Sequence, residues 1–205
     1  MKAMAAERLL LDGLVGKLDT LINDPGESRG GIALIAHPHP LFGGTHENKV
    51  VQTLAKTFYE LNCVAIRPNF RGVGMSAGSH DKGRGEADDL ALLVDWAKTK
   101  YGPLPVILAG FSFGGFVQLM VARRKVFERL VLIAPAVNRE DEGNVPLPAN
   151  TLLVHGEQDD VVTLKDLLDW ARPKELPIVL LPGTGHFFHG RLHQLHDIVF
   201  NACRF

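Results

Sequence analysis

The distribution of apolar residues along this chain constrains its fold more than any other feature of the sequence. Short runs made almost entirely of apolar residues alternate with longer segments in which apolar residues recur every three or four positions. A continuous apolar run is typical of a strand buried on both faces, as in a parallel sheet, whereas the longer repeat is typical of an amphipathic helix. The alternation therefore predicts an α/β fold with a mostly parallel, doubly wound sheet.

The predicted elements alternate along almost the whole chain. Strands are expected at residues 31–36, 63–67, 106–109, 130–134, 152–155 and 178–181, and helices at 47–61, 86–100, 113–123, 163–171 and 190–202. Residues 8–22 differ, because two apolar runs flank Asp12 and Gly13, a pair that signals a turn. We expect an antiparallel hairpin there, at one edge of the sheet. The length of 205 residues is typical of one domain, so residues 1–205 are expected to form a single domain.

Charge and hydropathy exclude several classes of partner. The chain has 22 Lys and Arg against 23 Asp and Glu, so it offers no basic excess to a phosphate backbone and nucleic acid is not expected. Residues 101–122 carry no charge, but their glycines and prolines predict a strand, a turn and a buried helix rather than a membrane span. The N-terminal residues lack the apolar core of a signal peptide. We therefore expect a cytoplasmic protein with no membrane partner.

One turn between a predicted strand and a predicted helix carries a nucleophile signature. Gly110, Ser112 and Gly114 form the pattern G-x-S-x-G. A serine at so sharp a turn needs small residues two positions to either side, because neighbouring backbone passes close by. The turn raises the hydroxyl clear of the sheet, and the helix N-terminus beneath it favours negative charge. Ser112 is therefore the candidate nucleophile.

A serine hydroxyl becomes a good nucleophile only when a base removes its proton, and the base is usually a histidine oriented by a carboxylate. His186 follows the predicted strand 178–181, on the same sheet edge as Ser112, and is the candidate base. The acid is left open at this point among Glu157, Asp159, Asp160 and the upstream Asp141. The chain order of serine, acid and histidine is that of α/β hydrolases.

Two further strings carry a family resemblance. His-Pro-His-Pro-Leu-Phe-Gly-Gly-Thr stands at residues 37–45, and Asn-Phe-Arg-Gly-Val-Gly at residues 69–74. With the segment 85–90, they make the chain resemble the α/β-hydrolase superfamily, and within it the small bacterial serine hydrolases that lack a lid. The resemblance covers nearly the whole chain. Members of that group more often have methionine where His46 stands, near the expected pocket.

The resemblance implies roles for particular residues. The superfamily places its acid three residues after a glycine and three before a valine, which selects Asp159, with Asp160 as the alternative. The oxyanion donors would be the backbone N–H groups of Phe113, directly after the nucleophile, and of His39 in the loop 37–41. Leu41 is a weaker candidate for the second donor. Pro38 and Pro40 have no N–H to donate.

The expected pocket is open and apolar. Only 17 residues separate Ala134 from Leu152, including Pro135, Pro146 and Pro148, which is too few for the helical cap of a lidded lipase. The pocket candidates are Leu41, Phe42, His46, Phe111 and Phe187, with Phe113 and Phe188 as further members of an apolar rim or of the core. These features predict hydrolysis of small, uncharged carboxylic esters. A thioesterase or peptidase with the same triad, and a non-catalytic binding protein on this fold, are the alternatives.

No metal and no cofactor are expected. His186, His189, His193 and His196 recur at helical spacing, but no familiar zinc-binding string accompanies them. The glycines at 72, 74 and 78 do not have the spacing of a dinucleotide fingerprint. The expected partner is thus a small-molecule ester, and no oligomeric state is predicted.

Overall fold

The apolar runs form one mixed sheet. The computed structural model describes residues 4–137 and 147–204. The strands in the described residues are β1 (Glu7–Gly13), β2 (Gly16–Asn23), β3 (Gly31–Ala36), β4 (Cys63–Pro68), β5 (Val106–Phe111), β6 (Arg129–Ile133), β7 (Leu152–Gly156) and β8 (Val179–Leu181). They form an eight-stranded sheet in the order β1-β2-β4-β3-β5-β6-β7-β8. The pairs β1–β2 and β2–β4 are antiparallel and all other neighbours are parallel, which confirms the predicted fold class.

Helices cover both faces of this sheet, as a parallel sheet with buried strands requires. The helices are α1 (Lys49–Glu60), α2 (Arg84–Tyr101), α3 (Phe113–Ala122), α4 (Leu164–Ala171) and α5 (Leu192–Cys203). One hydrophobic core lies between the sheet and α1 with α5, and the other between the sheet and α2, α3 and α4. Alternate residues of each central strand contribute to the two cores.

The N-terminal hairpin lies at the sheet edge as predicted, but its turn is not at Asp12 and Gly13. Strand β1 continues through both residues, and Gly13 pairs with Gly16 across a two-residue turn. A Cβ on Gly13 would lie 2.8 Å from the Leu18 side chain, and Gly16 has a φ of +129°. Glycine is therefore required where the two strands close, while Asp12 stays in the strand and pairs with Lys17.

Two helices begin away from their predicted starts because capping groups set their first turns. Helix α1 begins two residues later than predicted, since the Asn48 side chain accepts a hydrogen bond from the Val50 N–H and so caps the helix. Helix α2 begins two residues earlier, at Arg84. The Glu86 carboxylate, in the first turn of the helix, accepts a hydrogen bond from the Gly83 N–H at 2.8 Å and so caps the N-terminus of α2.

The sheet brings several loops to one edge. The loops after β3, β5, β7 and β8 all leave the carboxyl ends of parallel strands, where α/β proteins bind their ligands. The connection from β6 to β7 is described at residues 134–137 and 147–151, and these contain no helix that could form a cap. Asp141 and Pro146 lie outside the described residues. In the part of the chain described, no helix is both long and apolar enough to cross a membrane.

Candidate active site

Ser112 lies between the last residue of β5 and the first residue of α3. Its backbone has a φ of 54° and a ψ of −118°, a conformation that residues other than glycine rarely adopt. The turn is held because the Ser112 N–H donates to the Ile133 carbonyl at 2.9 Å. A Cβ on Gly110 would lie 2.3 Å from the Gly114 carbonyl oxygen, and one on Gly114 would lie 2.3 Å from the Ala36 carbonyl oxygen. The two glycines are thus required by close backbone passage, for the steric reason predicted from the sequence.

The structure brings Ser112, His186 and Asp159 into one hydrogen-bonded row. The Ser112 Oγ lies 3.0 Å from the His186 Nε2, and the His186 Nδ1 lies 2.7 Å from the Asp159 Oδ2. All three residues are buried, with Ser112 7% exposed. The ionised carboxylate can only accept, so Nδ1 carries the ring proton of the neutral imidazole. Nε2 is then the acceptor that faces the serine hydroxyl.

The loop after β7 fixes the Asp159 carboxylate. Its Oδ1 accepts the backbone N–H groups of Val161 and Val162 at 2.9 and 2.8 Å, which leaves Oδ2 for His186. Burial raises the pKa of Asp159, but the hydrogen bonds from His186 and the two N–H groups outweigh it and lower the pKa below its ordinary value. Buried His155 lies beside the same carboxylate, at 3.6 Å, and donates from Nε2 to the Val162 carbonyl.

The other carboxylates weighed for the acid position lie elsewhere. Glu157 accepts the Gly183 N–H at 2.8 Å, so it ties the loop after β7 to the loop after β8. Asp160, the alternative to Asp159, is exposed. Among the described carboxylates, His186 Nδ1 contacts Asp159.

The loop after β3 contacts Phe113, the residue that follows Ser112. The His39 ring packs against the Phe113 ring with centroids 4.7 Å apart, and against the Phe42 ring at 4.9 Å. Leu41, the weaker donor candidate, directs its N–H to the His39 Nδ1 at 3.3 Å. His39 and Phe113 are therefore neighbours beside Ser112, and the Leu41 N–H is already used within the loop.

His37 anchors this loop, a role that the sequence analysis did not anticipate. Its Nε2 accepts the Phe70 N–H at 2.9 Å, so the ring proton is on Nδ1, which donates to the Pro38 carbonyl at 2.7 Å. The ring is fully buried, and burial lowers its pKa to about 3. A polar residue directly after a fully apolar strand was the available signal for it.

A cavity of about 420 Å³ opens at Ser112 and His186. Two of the predicted pocket residues, Phe42 and Phe187, line it, and both are exposed to solvent. Leu41 and Phe111 do not line it, because Leu41 faces solvent and Phe111 is completely buried in the core beneath His186. Five further residues that line the cavity were not among the predicted pocket residues: Pro38, Gly43, Gly44, Asn48 and Val161.

His46 does not line this cavity either. It is buried, its N–H donates to the Asn69 side chain at 2.8 Å, and its carbonyl accepts from Arg67. Burial lowers the pKa of its imidazole, against an opposing attraction to Asp19. His46 therefore belongs to a buried polar cluster with Asn69 and Arg67 and not to the cavity at Ser112.

The histidines of the C-terminal region do not gather into one cluster. His186 faces Ser112, whereas His196 bridges Glu60 of α1, at 2.7 Å, and Asp197, at 2.9 Å. His189 and His193 are exposed. Within residues 4–137 and 147–204, no group of three or more His, Cys, Asp and Glu side chains is arranged to hold a metal ion.

The sheet order and the serine turn at the end of β5 define a class, the α/β hydrolases. The chain belongs to this superfamily: the family model described as "Serine aminopeptidase, S33" matches residues 41–149, about half of the chain. The chain is therefore a hydrolase by family and by fold.

Solved structures agree with this assignment. An α/β serine hydrolase homologue from Coxiella burnetii is 37% identical, with a TM-score of 0.91, over 99% of this chain and 100% of that one. A lidless α/β serine hydrolase from Xanthomonas campestris is 36% identical, with a TM-score of 0.91, over 97% of this chain and 94% of that one. An uncharacterised protein of Rickettsia prowazekii is 28% identical over 94% of this chain and 86% of its own length.

Proposed function

We propose that the protein is a serine hydrolase that cleaves small, uncharged carboxylic esters through an acyl-enzyme. Ser112 is the nucleophile, His186 the general base and Asp159 the residue that orients the base. The observation that carries this proposal is the 3.0 Å separation between Ser112 Oγ and the unprotonated Nε2 of His186. That distance is within the range over which a base can take the proton of a nucleophile.

The reaction proceeds in two acyl transfers. His186 takes the Ser112 proton as Oγ attacks the ester carbonyl, and the Asp159 carboxylate stabilises the imidazolium that forms. The imidazolium then gives its proton to the leaving alcohol, which departs and leaves the acyl group on Ser112. Water enters, loses a proton to His186 and attacks the acyl-enzyme, which releases the carboxylic acid and restores Ser112.

The negative oxygen of each tetrahedral intermediate needs donors that are already in place. We assign this role to the backbone N–H groups of Phe113 and His39. Phe113 supplies the first turn of α3, whose dipole favours negative charge at that point. The His39 loop is supported by the buried His37 ring and by two prolines, which suits a donor that must not reorganise during the reaction.

The cavity favours an uncharged substrate of modest size. Among the described residues that line it there is no Asp, Glu, Lys or Arg, so these residues offer no ion pair to a charged substrate. Phe42, Val161 and Phe187 give it an exposed apolar rim. The family description names an aminopeptidase, but recognition of a free amino group calls for a carboxylate, and none of the described lining residues supplies one. Esters therefore fit this cavity better than peptides with a free amino terminus.

Labelling with a fluorophosphonate tests the nucleophile directly. We expect one phosphonyl group per chain, on Ser112 by peptide mapping, and no label on the Ser112→Ala variant. Ser28→Ala is the matched control, because Ser28 is exposed and distant from the cavity, and it should label like the wild type. A folded wild-type protein that takes no label would favour a non-catalytic binding protein instead.

A substrate panel tests the bond that is cleaved. Esters, thioesters and amides of one short uncharged acyl group, together with an amino-acyl amide of similar length, are compared by kcat/KM. We expect the uncharged esters to be turned over fastest and the amides with a free amino group slowest. A preference for the amides would overturn the ester assignment while leaving Ser112 as the nucleophile.

A further inference from the structure

A second cavity lies on the other side of the α1 N-terminus from Ser112. Its volume is about 540 Å³, and it is lined by Met4, Ala6, Leu21, Glu47, Lys49, Gln52, Thr53, Lys56, Arg67 and Leu192. We refer to these residues as the β2–α1 groove. None of them lines the cavity at Ser112, although Asn48 lines that cavity and the next residue, Lys49, lines the groove. The two cavities are thus adjacent but separate.

One face of helix α1 forms a polar wall of the groove. Lys49, Gln52, Thr53 and Lys56 are spaced at i, i+3, i+4 and i+7, and residues at that spacing share one face of a helix. The two lysines stand about 10 Å apart along the helix axis, from a rise of ~1.5 Å per residue. Lys56 has a loose contact with Glu60 at 3.8 Å, and Lys49 donates to the neutral Gln52 side chain at 3.5 Å and forms no ion pair within the described residues. This wall is therefore elongated and cationic.

A buried arginine that forms no ion pair with a carboxylate of the described residues contributes to the lining. Arg67 is 5% exposed, and its guanidinium donates to two neutral acceptors, the His46 carbonyl at 3.3 Å and the Asn23 Oδ1 at 3.1 Å. Its Nε has no hydrogen-bond partner among the described residues. Within the described chain, Arg67 forms no ion pair with a carboxylate. Burial lowers the pKa of Arg67, against a weaker opposing attraction to Glu47.

Buried cations in proteins are normally paired with an anion, because removal of a charge from water is costly unless an opposite charge compensates for it. Arg71, the other arginine that is buried within the described residues, follows this pattern, since it is paired with Asp89 at 2.8 Å. Arg67 differs from Arg71. Glu47, the acidic residue among the described lining residues, is exposed and makes no ion pair within the described residues. An anionic group in the groove would provide the negative charge with which Arg67 could pair.

We propose that the β2–α1 groove binds a small amphiphilic anion, a molecule with a carboxylate or phosphate group and a short apolar portion. The anionic oxygens lie toward Arg67 and the lysines of α1. The apolar portion packs on Leu21, Leu192 and Met4, which give the rest of the groove its hydrocarbon surface. This site is independent of the chemistry assigned to Ser112.

Titration calorimetry with four probes tests the ligand class. Hexanoate and hexyl phosphate carry both features, hexanol carries only the apolar chain, and inorganic phosphate carries only the charge. We expect hexanoate or hexyl phosphate to bind, more weakly as sodium chloride is raised, and hexanol and inorganic phosphate to bind at least about fivefold more weakly. The tighter of the two binding probes identifies the head group. Equal affinity for hexanoate and hexanol, or no binding of either anion at millimolar concentration, would overturn the proposal.

Variants locate the site with effects of opposite sign. Glu47→Gln removes a repelling charge and should tighten binding about two- to fivefold, whereas Lys49→Gln with Lys56→Gln should weaken it by a similar or larger factor. Arg67→Met should abolish binding, and the surface variants keep the test decisive should that protein fail to fold. Lys165→Gln, the same substitution on helix α4, is the matched control and should leave the dissociation constant unchanged.

An alternative location is the cavity at Ser112, where a carboxylate product could bind. In that case Phe187→Ala would change the affinity for hexanoate while Glu47→Gln and the lysine pair would not. That result would refute the groove as the binding site. It would leave the esterase proposal intact, since that proposal depends on labelling and turnover.

Discussion

The backbone N–H of Phe70 donates to the Nε2 of His37, and this 2.9 Å hydrogen bond fixes the His37 ring in its neutral form. The opposite ring nitrogen donates to the Pro38 carbonyl, so both nitrogens are satisfied without a charge. The ring therefore connects the loop after β3 to the loop after β4. The proposed oxyanion donor at His39 lies two residues along from this anchor.

The neutral His37 makes stability depend on pH. In the unfolded chain the imidazole binds a proton near pH 6.5, whereas in the folded protein burial lowers the pKa to about 3. The unfolded state thus binds more protons between these values, and stability falls as pH decreases through this window, by up to ~1.4 kcal/mol per pH unit from this group. We expect His37→Gln to remove that slope. Urea unfolding from pH 7 to pH 4.5 measures it.

The control for this experiment is His193→Gln, which alters an exposed histidine of α5 and should keep the wild-type slope. An unchanged pH dependence in His37→Gln would show that the buried ring takes up a proton in the native protein. The hydrogen-bond assignment given above would then be wrong.

Asp159→Asn should reduce kcat for ester hydrolysis by about 10^4-fold with little change in stability. The N–H groups of Val161 and Val162 would keep the amide oxygen of the new side chain, so its NH₂ would face the His186 Nδ1. That nitrogen would then have to accept, and the proton would move to Nε2, which could no longer receive the Ser112 proton. Steady-state kinetics and a thermal melt measure the two effects.

Asp160→Asn is the matched comparison, because it makes the same change one residue further along on an exposed side chain. Its kcat should stay within about twofold of the wild type, since surface substitutions away from a site have small effects. A large loss in Asp160→Asn together with a small loss in Asp159→Asn would reverse the assignment of the acid.

The fold was predictable because burial on both faces leaves a strong mark on a strand. The six predicted parallel strands all occur, and their ends differ from prediction by two residues at most, as at Phe111 in β5. The hairpin turn was misplaced because Asp12 and Gly13 signal a turn locally, while the need for glycine at the closing pair is set by the Leu18 side chain across the hairpin. Contacts of that kind are not visible in local sequence.

The proposed site was predictable where reactive side chains lie in the turns and loops that follow apolar strands. Ser112 stands three residues after the predicted strand 106–109, and His186 stands in a glycine-rich loop five residues after the predicted strand 178–181. The pocket was harder, because Phe42 and Phe111 are identical in type, yet one is 86% exposed and the other is 0% exposed. The role of His37 depends on Phe70, 33 positions away, and the charge environment of Arg67 depends on Asn23, 44 positions away. No spacing rule connects such pairs.

Gly110→Ala should destabilise the protein by at least about 2 kcal/mol or prevent folding. The new methyl carbon would lie 2.3 Å from the Gly114 carbonyl oxygen, and that backbone cannot move without displacing the start of α3. Gly30→Ala is the control, because its methyl would meet only the Asn62 oxygen, at 3.9 Å. Urea unfolding compares the two variants. Equal stabilities would show that the turn relaxes around the added carbon.

His196→Gln should destabilise the protein in acid and not in base. Burial lowers the pKa of His196, but the hydrogen bonds with Asp197 and Glu60 raise it more, so the net pKa is above its ordinary value. The contribution to stability is therefore complete below pH 6.5 and is lost as pH rises through the raised pKa. We expect a loss of less than about 1 kcal/mol at pH 5.5 and none at pH 9. A loss that is equal at both values would indicate packing instead of charge.

Phe42→Ala and Phe187→Ala should raise KM for a short ester, by about fivefold each, with kcat nearly unchanged. An apolar rim contacts the ground state and the transition state alike, so its removal weakens binding without slowing the chemical step. Val126→Ala is the control, because Val126 is 82% exposed but lies outside the cavity. A fall in kcat with constant KM would instead place these rings close to the reacting carbonyl.

The positive φ at Ser112 makes the proposed reactivity of this serine and the stability of the fold compete. A φ of 54° with a ψ of −118° is comfortable for glycine and costs a serine on the order of 1–3 kcal/mol. Glycine would therefore relieve the backbone strain at this position most, but glycine has no hydroxyl. Selection for heat tolerance alone would therefore tend to replace the proposed nucleophile first, so such engineering needs a turnover screen as well.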